Sequence, residues 1–169
     1  TPLYSSAASD VYKRQSLGIR MARSGLVVST AERRVVPVDL GTRRHLILLL
    51  YSILEDLGPN YGMMHKAAKR MQDMLETKYG VTLGYRFNDP SIYAIWDYRF
   101  QFDIEKYAAL GLLVNNDNIL LARNYYSHKL SLTPEGRHLL QTTAKWNLER
   151  RFRSIDKLRD DVRSACATA

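Results

Sequence analysis

The sequence predicts an α+β, mainly helical fold, in which a three-helix core carries a β-hairpin and a long C-terminal helix follows. Three observations predict it. Two runs, one from Asp39 and one from Tyr61, repeat apolar residues at helical spacing. Phe102 to Leu132 opens as a third, short helix, stops at Gly111 and continues as two strand-like runs joined by a polar turn. Thr133-Pro134-Glu135-Gly136 then starts another helix. Helices, hairpin and capped helix in that order are the order of a winged helix.

The chain has 169 residues, enough for one domain with extensions, and 46% of them are hydrophobic, enough to build a core. The net charge is +8, which invites a nucleic-acid reading. Its distribution tempers that reading. Residues 1–44 hold 8 basic and 3 acidic side chains, 45–144 hold 10 of each, and 145–169 hold 7 and 4. The predicted core is neutral, and the positive charge lies at the two ends.

Residues 1–20 are small and polar at first, with no usable periodicity, and SSAASDVYKRQ resembles translated adapter sequence. They read as a non-native or disordered leader, with Met21 as the expected start. Residues 21–38 form an N-terminal arm. Within it GLVVSTAERRVVPV sets two β-branched pairs around a polar centre, either a weak hairpin or an extended arm, and Pro37 confines the second run to a sheet edge. Arg33 and Arg34 are more simply solvated than bound to phosphate.

The winged-helix domain is expected over 39–136. Asp39 or Thr42 caps its first helix, whose core stripe is Leu46, Leu49, Leu50, Ile53 and Leu57, and Gly58-Pro59 ends it. The second helix runs from Tyr61 to Tyr79, with Met64, Ala67, Ala68, Met71, Met74 and Leu75 inward, and Gly80 closes it. Its methionines read as core filler, and His65 as a structural histidine. From Val81 to Phe87 apolar residues alternate, a strand signal. The aromatic run from Tyr93 to Phe102 either wraps a core or forms an exposed surface, and core is favoured because small domains rarely expose large apolar patches.

The third helix is expected over Gln101 to Leu113, with Ile104 and Tyr107 buried. Ile119–Arg123 and His128–Leu132 are the expected wing strands, and Asn124 to Ser127 the tip. Thr133 caps the last helix and Pro134 takes its first position. That helix is expected to continue over 137–169 as far as about Arg163. Leu148, Phe152, Ile155 and Val162 along it form a short coiled-coil-like seam, so a homodimer or packing role is expected.

Several chemistries find no pattern. The four histidines lack metal-ligand spacing, and no glycine-rich phosphate loop is present. Asp97 and Asp103 are a conceivable carboxylate pair and nothing more, and Cys166, the single cysteine, sits near the C-terminus. No enzyme activity, metal or cofactor is expected. The longest apolar run, Leu46 to Tyr51, is far short of a membrane span, and no secretory signal pattern occurs. A cytoplasmic location is expected.

From Leu46 to Leu140 the order of features resembles small winged-helix proteins of bacteria and archaea, including SocA-type antitoxins and archaeal transcriptional regulators. The resembling parts are Leu46 to Leu54, Lys66 to Leu75, Tyr85-Arg86-Phe87, LGLL at Leu110 to Leu113, and Tyr126 through LSLTPEG. Trp96 to Phe100 stands where many such proteins carry a Tyr-Gly-Pro-like stretch. The resemblance implies DNA binding or partner binding by analogy.

A DNA-binding regulator is the first expectation. Lys66, Lys69 and Arg70 on the second helix, and Arg123, Asn124, Tyr125, Tyr126, His128 and Lys129 around the wing, are its candidate contacts to double-stranded DNA. Asp103 and Glu105 on the third helix count against it, because carboxylates facing a phosphate-lined groove are unfavourable. The alternative is a protein-interaction module, with a partner site at Tyr93, Trp96 and Tyr98.

Overall fold

The computed structural model describes residues 34–88, 95–116 and 127–167. The chain divides into two compact units, Thr1–Arg34 and Val35–Ala169, and every described element belongs to the second. It is mainly helical, with two small two-stranded sheets. The expected leader and residues 21–33 of the arm lie outside the described residues.

Helix α1 (Leu40–Leu54) is the centre of the fold. Asp39 caps it, accepting the Thr42 backbone N–H at 2.8 Å and the Thr42 hydroxyl at 2.9 Å. Leu46 to Tyr51 are six consecutive buried residues. A one-sided stripe does not describe such a helix: it is covered on all sides, as an internal helix must be. Leu57, expected on the stripe, is instead exposed. The chain tightens to a 3-10 turn at Glu55–Leu57 and reverses at Gly58, whose φ of 56° is left-handed.

Helix α2 (Tyr61–Tyr79) keeps its predicted bounds and its predicted inward face. Asn60 caps its start and Gly80 ends it in the left-handed conformation. Strand β1 (Val36–Pro37) pairs in parallel with β2 (Val81–Thr82), so the end of the arm is extended. The alternating run stops there as a strand. The side-chain amide of Gln72 accepts from the Tyr85 N–H at 3.1 Å and donates to the Tyr85 carbonyl at 3.0 Å. One side chain on α2 thus takes the place of a neighbouring strand.

Helix α3 (Tyr98–Ala109) begins three residues earlier than expected. Asp97 is the reason: one carboxylate oxygen accepts the Phe100 N–H and the other the Arg86 N–H, each at 2.8 Å. Gly111 (φ 74°) ends the turn after α3 as expected. Strand β3 (Leu113–Asn115) then pairs antiparallel with β4 (Leu130–Leu132). The second expected wing strand is therefore found in part. Its described partner is not Ile119–Arg123, which lie outside the described residues, but the segment directly after Gly111.

The expected long C-terminal helix is corrected. It is three helices, α4 (Pro134–Gln141), α5 (Thr143–Phe152) and α6 (Ile155–Ala167), broken at Thr142 and at Arg153, whose φ is 66°. The breaks let α5 pack on α1, and α6 on α2 and α1. Leu148, Phe152, Ile155 and Val162 are all buried within the chain, so the expected dimer seam is core. Asp161 on α6 fastens this arrangement, accepting from Lys78 and from the Tyr79 hydroxyl, each at 2.7 Å. Gly136 explains itself here. An added Cβ would lie 2.2 Å from the Leu112 carbonyl oxygen, so only glycine lets α4 press on the chain entering β3.

Candidate functional site

Helix α3 has two faces. Phe100, Gln101, Asp103, Ile104 and Tyr107 are buried, while Tyr98, Arg99, Phe102, Glu105 and Lys106 are exposed. The helical period sorts them once the start at Tyr98 is known. The expectation that Asp103 faces outward is corrected. Its carboxylate accepts the Tyr85 hydroxyl at 2.5 Å and lies 3.3 Å from Arg43 Nε, an ion pair without hydrogen-bond alignment. The Arg43 guanidinium also covers the Tyr85 ring at 5.2 Å. Burial first, then the bond to Asp103, pushes the Tyr85 hydroxyl far above its ordinary pKa, so it stays a donor.

The exposed face of α3 and the first turn of α1 enclose a groove of about 610 Å3. Leu40, Tyr98 and Phe102 are its apolar walls, exposed by 70%, 85% and 65%. Arg43, Arg44, Arg99 and Lys106 bring four cations to it, and Asp103 one carboxylate. Arg44, Arg99 and Lys106 make no ion pair among the described residues. The groove is therefore both apolar and cationic.

His65 lies under α3 and is structural, as expected. The Asp97 N–H donates to its Nδ1 at 3.1 Å, so the proton sits on Nε2, which donates to Gln101 Oε1 at 3.0 Å. Its ring stacks on Trp96 and meets Phe87 and Phe100 edge-on. Burial pulls its pKa down to about 4, against smaller opposing effects of Gln101 and Asp97. The expected partner strip is thus divided. Trp96 packs against the core, Tyr98 is exposed, and Tyr93 lies outside the described residues. Asp97 caps α3, and Asp103 holds Tyr85 and Arg43.

The candidate DNA contacts fall in three places. On α2, Lys66 is exposed, Lys69 pairs with Asp73 at 2.7 Å, and Arg70 donates to the Cys166 carbonyl at 3.1 Å near the end of α6. Arg123, Asn124, Tyr125 and Tyr126 lie outside the described residues. His128 and Lys129 lead into β4 beside the start of α2, where the Tyr61 N–H donates to the His128 carbonyl at 3.0 Å and Asn60 bridges to Lys129. None of these residues lines the groove. The reading of the sequence missed Arg43, Arg44, Arg99, Phe102 and Lys106, and named Tyr98 only as part of the partner strip. The i, i+4, i+8 spacing of Tyr98, Phe102 and Lys106 puts them on one helical face, a signal legible only with the helix start at Tyr98.

Among the described residues no group of acidic, histidine or cysteine side chains has metal-binding geometry, and no helix is long and apolar enough to cross a membrane. No family model, curated protein or solved structure matches the chain. The fold and the groove define it at a coarser level: a mainly helical α+β protein with a cationic, aromatic surface on α3.

Proposed function

We propose that this protein binds double-stranded DNA as a winged-helix transcriptional regulator. In this reading α1, α2 and α3 are the core, α3 enters the major groove, and the segment between β3 and β4 is the wing. The observation that carries the reading is the inward turn of Asp103. Paired with Arg43 and hydrogen-bonded by the Tyr85 hydroxyl, it opposes phosphate less, and the outer face of α3 presents Arg99 and Lys106 against Glu105 alone. Lys66 on α2 and His128 and Lys129 beside β4 supply backbone contacts, with Arg123, Asn124, Tyr125 and Tyr126 on the wing.

Anisotropy titrations of a mixed-sequence DNA duplex in a salt series test this. Affinity is expected to fall linearly on a log–log plot, and each lost phosphate contact reduces the slope by about 0.9. Replacing Arg99 and Lys106 together is expected to abolish measurable binding. No binding at low salt, or binding unchanged in that variant, removes the reading. A protein partner is the second reading, favoured by exposed Tyr98, Phe102 and Leu40, because aromatic residues and arginine are enriched at protein interfaces. It predicts no direct DNA binding at low salt, and recovery of a partner that Tyr98→Ala abolishes.

A further inference from the structure

We propose that the groove between the first turn of α1 and the outer face of α3 binds a small planar aromatic anion, with its ring between Leu40 and Phe102 and its carboxylate on Arg44 and Lys106. Size argues first. A groove of about 610 Å3 lies within the range of small-molecule pockets, roughly 300–1,000 Å3. It is concave, whereas docking of α3 in a DNA groove needs only the helix's convex surface.

The walls argue for an aromatic ring. Tyr98 and Phe102 stand one turn apart on α3, and Leu40 faces the same groove from α1. An apolar plate seated there covers side chains that water now surrounds. The charges argue for an anion. Arg43 is already matched by Asp103, so an incoming carboxylate meets Arg44, Arg99 and Lys106, none of which has an ion-pair partner among the described residues.

Arg44 is the cation best suited to a carboxylate: it lines the groove and makes no ion pair among the described residues. The planar guanidinium suits a carboxylate better than a lysine does, because two parallel N–H groups meet two oxygens.

The site also implies regulation, and this clause rests on the DNA reading. The ligand takes Lys106 and the surface of α3 that the DNA reading assigns to the major groove. Ligand and DNA are then mutually exclusive.

Calorimetry with 1-naphthoate on the full chain tests the site, with 1-naphthylmethanol as the neutral isostere. Naphthoate is expected to bind at least tenfold more tightly than the alcohol. Arg44→Gln is expected to remove most of that preference, and Phe102→Ala to weaken both compounds, with thermal melts confirming that the variants fold. Equal affinity for acid and alcohol, unchanged naphthoate affinity in Arg44→Gln, or no heat at millimolar naphthoate overturns the site. DNA anisotropy with and without saturating naphthoate tests the regulation separately. A rise in apparent DNA Kd supports exclusion, and an unchanged Kd with ligand bound overturns it. Absence of DNA binding by the ligand-free chain, where calorimetry still shows naphthoate binding, removes both the DNA reading and the exclusion, and leaves the ligand site standing.

Discussion

The hydroxyl of Tyr85 donates to the carboxylate of Asp103 at 2.5 Å, across the seam between the chain after β2 and the inner face of α3. Arg43 from α1 closes the same cluster from its other side. Three segments distant in the chain are thereby held by one carboxylate, and the outer face of α3 is left without it.

Removing that carboxylate is expected to be costly. Asp103→Ala leaves Arg43 and the Tyr85 hydroxyl unmatched, and breaking a buried ion pair from one side costs about 3–5 kcal/mol. The side chains remain 19% and 12% exposed, so the lower end of that range is expected. Tyr85→Phe loses one hydrogen bond to a charged group, about 1.5–3 kcal/mol. Urea unfolding of the two variants measures both. A loss below about 0.5 kcal/mol for Asp103→Ala, the level of ordinary surface changes, contradicts the cluster's role.

Stability should fall on mild acidification because of His65. Its pKa drops from 6.5 unfolded to about 4 folded, so between these values the unfolded chain binds more protons. Stability from this group is full above pH 6.5, declines as pH falls toward 4, and is level below. The whole effect is about 3 kcal/mol. His45, lowered mainly by burial, adds a slope of the same sign. Asp39 and Asp161, lowered by hydrogen bonds from Thr42 and from Lys78, act in a separate window below the ordinary carboxylate value of 3.8. The deciding measurement is wild type minus His65→Gln across pH 4–6.5. Parallel curves over that interval contradict the assignment.

Gly136→Ala tests the contact between α4 and the entry to β3. The added methyl meets a backbone carbonyl at 2.2 Å, which cannot rotate away as a side chain would. Overpacking of this kind costs about 1–3 kcal/mol, and the rigid neighbour places this case at the top of the range. If the Gly136→Ala variant matched wild type in chemical denaturation, β3 and α4 would have to separate easily.

The C-terminal apolar residues should behave as core. Leu148→Ala and Leu158→Ala, both fully buried, are each expected to cost about 2–5 kcal/mol. Had Leu148 formed an intermolecular seam, the first effect of its replacement would be a change of mass in sedimentation. Destabilisation with sedimentation unchanged is the expected pattern. Arg153→Gly is expected to stabilise slightly, since a left-handed residue with a Cβ costs about 1–2 kcal/mol and glycine recovers part of it.

The sequence by itself determined the local events: Asp39, Thr133 and Gly80 at helix ends, the whole span and inward face of α2, and the stop at Gly111. These depend on neighbours within one turn, so their chemistry is written nearby in the chain. Tertiary structure decided the rest. Leu148 to Val162 has one apolar period whether it meets a second chain or folds back at Arg153 onto α1 and α2. Strand pairing of Leu130–Leu132 went to Leu113–Asn115, and Gln72 replaced a strand beside Tyr85, both through contacts across the fold. Asp103 turned inward because Arg43, sixty residues earlier in the chain, stood there to receive it. A charge faces water or its partner according to what the fold sets against it.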